Sequence, residues 1–149
     1  MRGGLAIWLI LRHPDQIAKP VKDAMTPDTT NAETVVAQQL DAYNARDIDA
    51  FMAVWADDAQ YFEHPDKLLA SGAAAIRARH VVRFREPDLH GQLTGRFSVG
   101  NIVVDRESVT RNFPQGRGTV DVIAIYEVEG GRITRAWFKQ GTPVLDKHP

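Results

Sequence analysis

The stretch Gly118-Thr119-Val120-Asp121-Val122-Ile123-Ala124-Ile125-Tyr126-Glu127-Val128, then Glu129-Gly130-Gly131, then Arg132-Ile133-Thr134-Arg135-Ala136-Trp137-Phe138-Lys139-Gln140, decides the fold class. Side chains alternate across a strand, so Val120, Val122, Ala124, Tyr126 and Val128 share one face, while Ile123 and Ile125 share the other. The Gly-Gly turn sends the chain back antiparallel over residues 132–140. A strand apolar on both faces needs two covers. Helices of the same chain supply one, and a second copy is the simplest source of the other. A homodimer through the outer sheet face is therefore expected.

Upstream, residues 90–104 alternate in part, with Phe97, Val99 and Val103 on one side and Ile102 and Val104 on the other. Residues 109–113 pair back with them across a charged turn at Asp105-Arg106-Glu107. Before Pro87 the spacing is helical. From Glu33 onward, Val36, Leu40 and Tyr43 recur at i, i+4 and i+7, with Gln39 on the same face. Asp47 can cap a second helix striped by Ile48, Phe51, Met52 and Trp55, which Asp57-Asp58 end. Gln60-Tyr61-Phe62-Glu63-His64 reads as a short strand closing at Pro65. Ser71 offers a cap for a third helix carrying Ile76, His80 and Phe84 on one face, stopped by Glu86-Pro87-Asp88. Three helices followed by an antiparallel meander make an α+β fold, with the helices packed on one face of a curved sheet.

Composition narrows the function. The chain has 149 residues, 18 Lys+Arg against 19 Asp+Glu, a net charge of −1, and no cysteine. Such a balance lacks the concentrated basic charge that nucleic-acid binding needs, so no nucleic acid is expected. Without cysteine there is no disulfide, thiolate metal site or thiol nucleophile. A spanning helix needs about 20 apolar residues in a row, and none occurs, so no membrane association is expected. Gly-rich phosphate loops, serine elbows and dinucleotide fingerprints are absent, and no cofactor is expected.

Residues 1–31 read differently from the rest. Arg2 precedes the apolar run Leu5-Ala6-Ile7-Trp8-Leu9-Ile10-Leu11, ended by Arg12-His13-Pro14. That run sits at the lower limit for a secretory signal, and no small-x-small cleavage site follows it. Met25 opens the polar leader Met-Thr-Pro-Asp-Thr-Thr-Asn. Residues 1–31 are expected to be peripheral and residues 32–149 to form the single working domain. A cytoplasmic protein is expected, with export as the alternative that the apolar run leaves open.

The run Asp41-Ala-Tyr-Asn-Ala-Arg-Asp-Ile-Asp-Ala-Phe51, then Trp55-Ala-Asp-Asp-Ala59, then Gly72 before the helix of Ile76, resembles the nuclear-transport-factor-two-like superfamily. The turn Gly130-Gly131-Arg132-Ile133 between the last two strands does too. The likeness runs from Glu33 to about Leu145 and rests on the order of individually weak motifs. It implies a cone-shaped barrel enclosing a pocket between sheet and helices, commonly in a dimer. Members include ketosteroid isomerases, SnoaL-type polyketide cyclases, epoxide hydrolases and non-catalytic binding proteins, so the fold leaves function open. Ketosteroid isomerase uses a carboxylate base with a Tyr and a protonated Asp as oxyanion donors. Residue by residue, its base falls on Glu63, its first-helix Tyr on Gln39, its Asp donor on Ala124, and a further pocket Tyr on His80. The base is kept and both donors are lost. Losing one such donor commonly costs about 10²–10³ in rate, so efficient steroid isomerisation is not expected.

Glu63 shares a strand face with Tyr61, and the resemblance makes that the pocket side. Among Tyr61, Phe138, Val122 and Ala124 it would be partly desolvated, its pKa raised toward neutrality as suits a general base or acid. His80 points inward with Ile76 and Phe84. The candidate catalytic pair is Glu63 and His80, with Gln39, Tyr43, Tyr61, Val122, Ala124, Phe138 and Gln140 lining a pocket for a small, largely apolar ligand. Two blander assignments stay open: Glu63 as an exposed rim carboxylate, and His80 as a core histidine bonded to a backbone carbonyl. His64 replaces Glu63 if the strand slips by one residue. Glu63-His64-Pro65-Asp66 contains metal-ligand types, but adjacent strand residues point apart and no metal is expected. Asp121 reads as a rim or dimer-side ion pair and Trp137 as interface packing. Arg77, Arg79, Arg83 and Arg85 read as the solvated face of the third helix, with Arg77 or Arg83 able to reach a pocket mouth. Acid/base isomerase or lyase chemistry and a non-catalytic dimeric binding module are the two functions left open.

Overall fold

In a computed structural model describing residues 26–147, strand β5 (Gly116–Glu129) forms where the alternation is cleanest. Val120, Val122, Ala124, Tyr126 and Val128 are buried, and Asp121 and Ile123 are exposed on the other face. Gly130 and Gly131, at φ 59° and 78°, turn the chain into β6 (Arg132–Gln140), since glycine enters that left-handed region without a Cβ clash. On the other side of β5 lie β4 (Ile102–Phe113) and then β3 (His90–Val99), both antiparallel.

The reversal between β3 and β4 is not at Asp105-Arg106-Glu107. It lies at Gly100-Asn101, where Gly100 takes φ 57°, and the charged triplet sits in the middle of β4. The register explains why. Arg96 of β3 is the direct cross-strand partner of Asp105. Its Nε and Nη2 donate to Oδ1 and Oδ2 of Asp105 at 2.7 and 2.9 Å, so a carboxylate that would otherwise seek water is fully buried in a bidentate pair. Val103, Asp105, Glu107 and Val109 then all face inward.

Strand β1 (Trp55–Glu63) lies parallel to β6, and β2 (Lys67–Ser71) returns antiparallel to β1 across a turn whose His64–Pro65 peptide is cis. The sheet order is β2-β1-β6-β5-β4-β3, and the short β7 (Val144–Leu145) pairs with the start of β5. The outer strands β2 and β3 do not pair with each other, so the sheet is an open one rather than a closed barrel.

Among the described residues, three helices cover the inner face: α1 (Thr26–Ala45), α2 (Ile48–Ala53) and α3 (Ala73–Arg83). Helix α1 buries Val35, Val36, Gln39 and Leu40 against β3 to β6, while α3 packs on β1 and β2. It begins at Thr26, upstream of the Glu33 start expected from spacing; Pro27 is tolerated in a first turn because its missing N–H would lack a helical partner anyway. Asp47 caps α2 by accepting from the Ala50 amide at 3.1 Å. Trp55 does not extend that helix. It opens β1, and Asp57 and Asp58 lie within the strand. Ser71 ends β2, and the residue capping α3 is Gly72 at φ 91°. A one-turn helix running straight into a strand leaves too little periodicity to separate the two.

Phe51, Trp55 and Ile76, each almost fully buried, anchor the core. Burying each such side chain is worth about 1.5–3 kcal/mol. No helix among the described residues is long and apolar enough to cross a membrane. The apolar run at residues 5–11 lies outside the described residues.

Candidate functional site

Between α1, α3 and the inner face of the sheet is a cavity of about 50 Å³. Helix α1 contributes Gln39 and Tyr43, α3 contributes His80 and Arg83, and β1 contributes Tyr61. The inner sheet face adds Glu107 and Arg111 from β4, Val122 and Tyr126 from β5, and Phe138 and Gln140 from β6. Tyr61, Arg83, Arg111, Phe138 and Gln140 also wall a wider outer mouth of about 260 Å³, completed by Glu63, Leu69, Arg79 and Lys139. Tyr61 and Phe138 stack with centroids 4.5 Å apart where the two spaces adjoin.

Glu107 is the unusual group. It is 7% exposed and stands opposite Val122 in the register. One carboxyl oxygen occupies the space a Cβ on Gly91 would approach, 3.3 Å away. It has no ion-pair partner among the described residues. Burial raises its pKa, and the Asp105 carboxylate raises it further; Arg96, already committed to Asp105, offsets only part, and the result is about 7. A carboxyl group poised there can give or accept a proton near neutrality.

Around it stand three phenols. Burial pushes Tyr43 up to about 12 and holds Tyr61 and Tyr126 above the usual phenol value, so all three are protonated donors at neutral pH. Tyr126 donates to Gln39 Oε1 at 3.2 Å, orienting that amide within the cavity wall. His80 is buried among the rings of Tyr43, Phe51, Tyr61 and Phe84. Burial drives its pKa down to about 4, outweighing the bond to Ile76. Its Nδ1 lies 2.8 Å from the Ile76 carbonyl, which can only accept, so Nδ1 carries the proton and Nε2 is an acceptor.

The structure brings Gln39, Tyr43, Tyr61, His80, Val122, Phe138 and Gln140 together around the inner cavity. Ala124 is not among them: it is fully buried between Asp105 and Phe138 in the sheet register. Glu63 is not desolvated. Its side chain is 57% exposed at the mouth, 3.9 Å from Lys67, because β1 is ending there. Glu63 and His80 therefore line different compartments rather than forming a pair. Asp121 lies 3.8 Å from Arg106 on the outer face, and Trp137 stacks on Phe62 there at 5.6 Å. Arg77 pairs with Asp49 at 2.5 Å, away from the mouth that Arg83 lines. Glu107, Tyr126 and Arg111 were not foreseen. Strand parity with Val122 was a usable signal for Tyr126. For Glu107 the signal was the Gly100-Asn101 turn, which moves the charged triplet off the hairpin and into the strand. Among the described residues no group of three or more His, Asp or Glu is placed to hold a metal ion.

Comparison with known proteins agrees with this architecture. Residues 36–136 match the SnoaL-like domain family. A search of curated proteins returned no match. Among solved structures, a cystatin-fold protein from Novosphingobium aromaticivorans is 30% identical, with a TM-score of 0.67 over 72% of this chain and 96% of its own. An epoxide hydrolase of the LEH-like type from M. tuberculosis shares the fold at 21% identity, with a TM-score of 0.66 over 77% of this chain and 86% of its own. So does a protein with a ketosteroid isomerase-like fold from Catenulispora acidiphila, in complex with trimethylamine, at 16% identity and a TM-score of 0.62, over 70% of this chain and 82% of its own. With an open, mostly antiparallel sheet under three helices and a family match over most of its length, the chain belongs to the SnoaL-like domain family of the nuclear-transport-factor-two-like superfamily.

Proposed function

We propose that the chain binds a small organic molecule and moves a proton on it, with Glu107 as the group that carries the proton. One observation supports this above the rest: a nearly buried carboxyl without an ion-pair partner faces a cavity ringed by protonated phenols. A carbonyl or hydroxyl oxygen at the ligand's inner end would meet Tyr43 and Tyr61 as donors, in place of the absent oxyanion pair, while the Tyr126 hydroxyl stays committed to Gln39. In this reading the base role that the resemblance implied for Glu63 passes to Glu107, and His80 is a neutral wall rather than a proton relay. A cavity of about 50 Å³ admits only a ligand's tip, so the bulk of the molecule lies in the mouth.

The test is proton exchange. Aryl methyl ketones incubated with the protein in D₂O lose their methyl signal by proton NMR as deuterium enters. Glu107→Gln is expected to slow the catalysed exchange by at least about 10²-fold, and Glu63→Gln by less than about twofold. Binding without any catalysed exchange favours the non-catalytic module instead. We also propose that the outer sheet face forms a homodimer, a reading supported by exposed Ile123, Phe97 and Val99. Sedimentation as a monomer at micromolar concentration would rule it out.

A further inference from the structure

The chain has a net charge of −1, yet three arginines, Arg79, Arg83 and Arg111, line the mouth with one carboxylate, Glu63; Lys139 borders it from β6 but shares the outer sheet face with Ile123. That carboxylate already has Lys67 at 3.9 Å. Arg83 and Arg111 share a single carboxylate behind the wall: Arg111 donates twice to Glu86 at 2.8 Å, and Arg83 Nε lies 3.3 Å from it. Arg79 has no carboxylate within ion-pair distance among the described residues. Arg79 is instead held 5.3 Å over the Tyr61 ring, the residue that separates the mouth from the inner cavity. The Tyr61 ring and its hydroxyl, which also accepts a hydrogen bond from Arg79, hold the guanidinium at the mouth, and with five N–H donors it keeps others for an oxyanion.

We propose that the mouth is an anion-binding subsite, with Arg79 as its chief contact and Arg83 in support. The ligand class is then an amphipathic monocarboxylate, its charged end at the mouth and its polar, proton-exchanging end at Glu107. The inward orientation rests on the proton-transfer reading above; the anion subsite does not.

The experiment compares two probes of one shape, 4-acetylbenzoate and 4-acetylbenzamide, by calorimetric titration at low salt. Wild-type protein is expected to prefer the carboxylate by about tenfold, a preference that weakens as salt screens the mouth. Arg79→Gln is expected to bring the two probes to within about twofold, while Arg85→Gln, on an exposed residue off the mouth, keeps the preference. Equal affinity in the wild type, a preference that survives Arg79→Gln, or failure of both probes to bind overturns the subsite. Glu107→Gln separates the two readings. If it stops methyl deuteration of 4-acetylbenzoate and leaves the carboxylate preference intact, both stand. Exchange untouched by that substitution, with the preference retained, removes the proton-transfer role and leaves the anion subsite.

Discussion

Glu107 and Glu63 are the same residue type on the same sheet, and the two ends of one site treat them in opposite ways. Glu107 sits mid-strand on β4, where Val103, Asp105 and Val109 face the helices with it, and water is largely excluded. Glu63 ends β1, where the strand leaves the cover of α3 and its carboxylate meets solvent and Lys67. Chemistry that needs a neutral-range carboxyl belongs to the first position, and the charged mouth belongs to the second. Location along the strand, rather than residue type, sets the role.

The contrast is sharpest in stability. The pair Asp105–Arg96 underlies the inner end, and Asp105→Ala leaves a partly buried guanidinium without its partner. Chemical denaturation is expected to show a loss of about 3–5 kcal/mol. A loss under about 1 kcal/mol means that water reaches Arg96 and that the inner end is not dry.

Next come the two titrating groups of the cavity, which act with opposite sign. Glu107 has a folded pKa raised from 4.5 to about 7, so its favourable term is complete below 4.5 and is lost as pH rises through about 7. Glu107→Gln should therefore match wild type at pH near 4.5 and exceed it by about 3 kcal/mol at pH 8. His80 is the reverse: its folded pKa is lowered from 6.5 to about 4, so its contribution is complete above 6.5 and is lost as pH falls toward 4. His80→Leu should flatten that acid-side decline. Melting curves across pH for the two variants check both signs, and a Glu107→Gln advantage that is the same at every pH would break the assignment of a buried ionisation.

The smallest effect belongs to the rim. Glu63→Gln is expected to change stability by no more than about 0.5 kcal/mol at any pH, because the Glu63–Lys67 pair is exposed and long. If it stabilises the protein at pH 8 as much as Glu107→Gln does, the two ends are not different environments and the comparison fails.

Much of this was legible in the chain. The strand around Ala124, the Gly130-Gly131 turn, the helix faces carrying Gln39, Tyr43 and His80, and the Asp47 cap follow from local periodicity and turn chemistry, which act over a few residues. The inner carboxylate was not legible. Asp105-Arg106-Glu107 looks like a solvated turn because burying two acids on one strand is costly when nothing nearby neutralises them. The neutralising group, Arg96, is nine residues upstream and becomes adjacent only through the β3–β4 register. The Ser98 hydroxyl joined to Glu33 across 65 residues is a similar long-range tie.

By itself the sequence determined the α+β class, the inward faces of α1, α3 and β5, and the absence of any thiol chemistry, since these depend on local spacing and on composition. It put Val103 on the face of Phe97 and Val99, whereas Val103 is buried and those two are exposed. Only the tertiary structure decided which carboxylate is desolvated, that the sheet stays open, and that scattered arginines converge on one mouth. Burial and electrostatic neighbourhood are set by strands and helices distant in sequence, and a pKa is a property of that neighbourhood rather than of the residue.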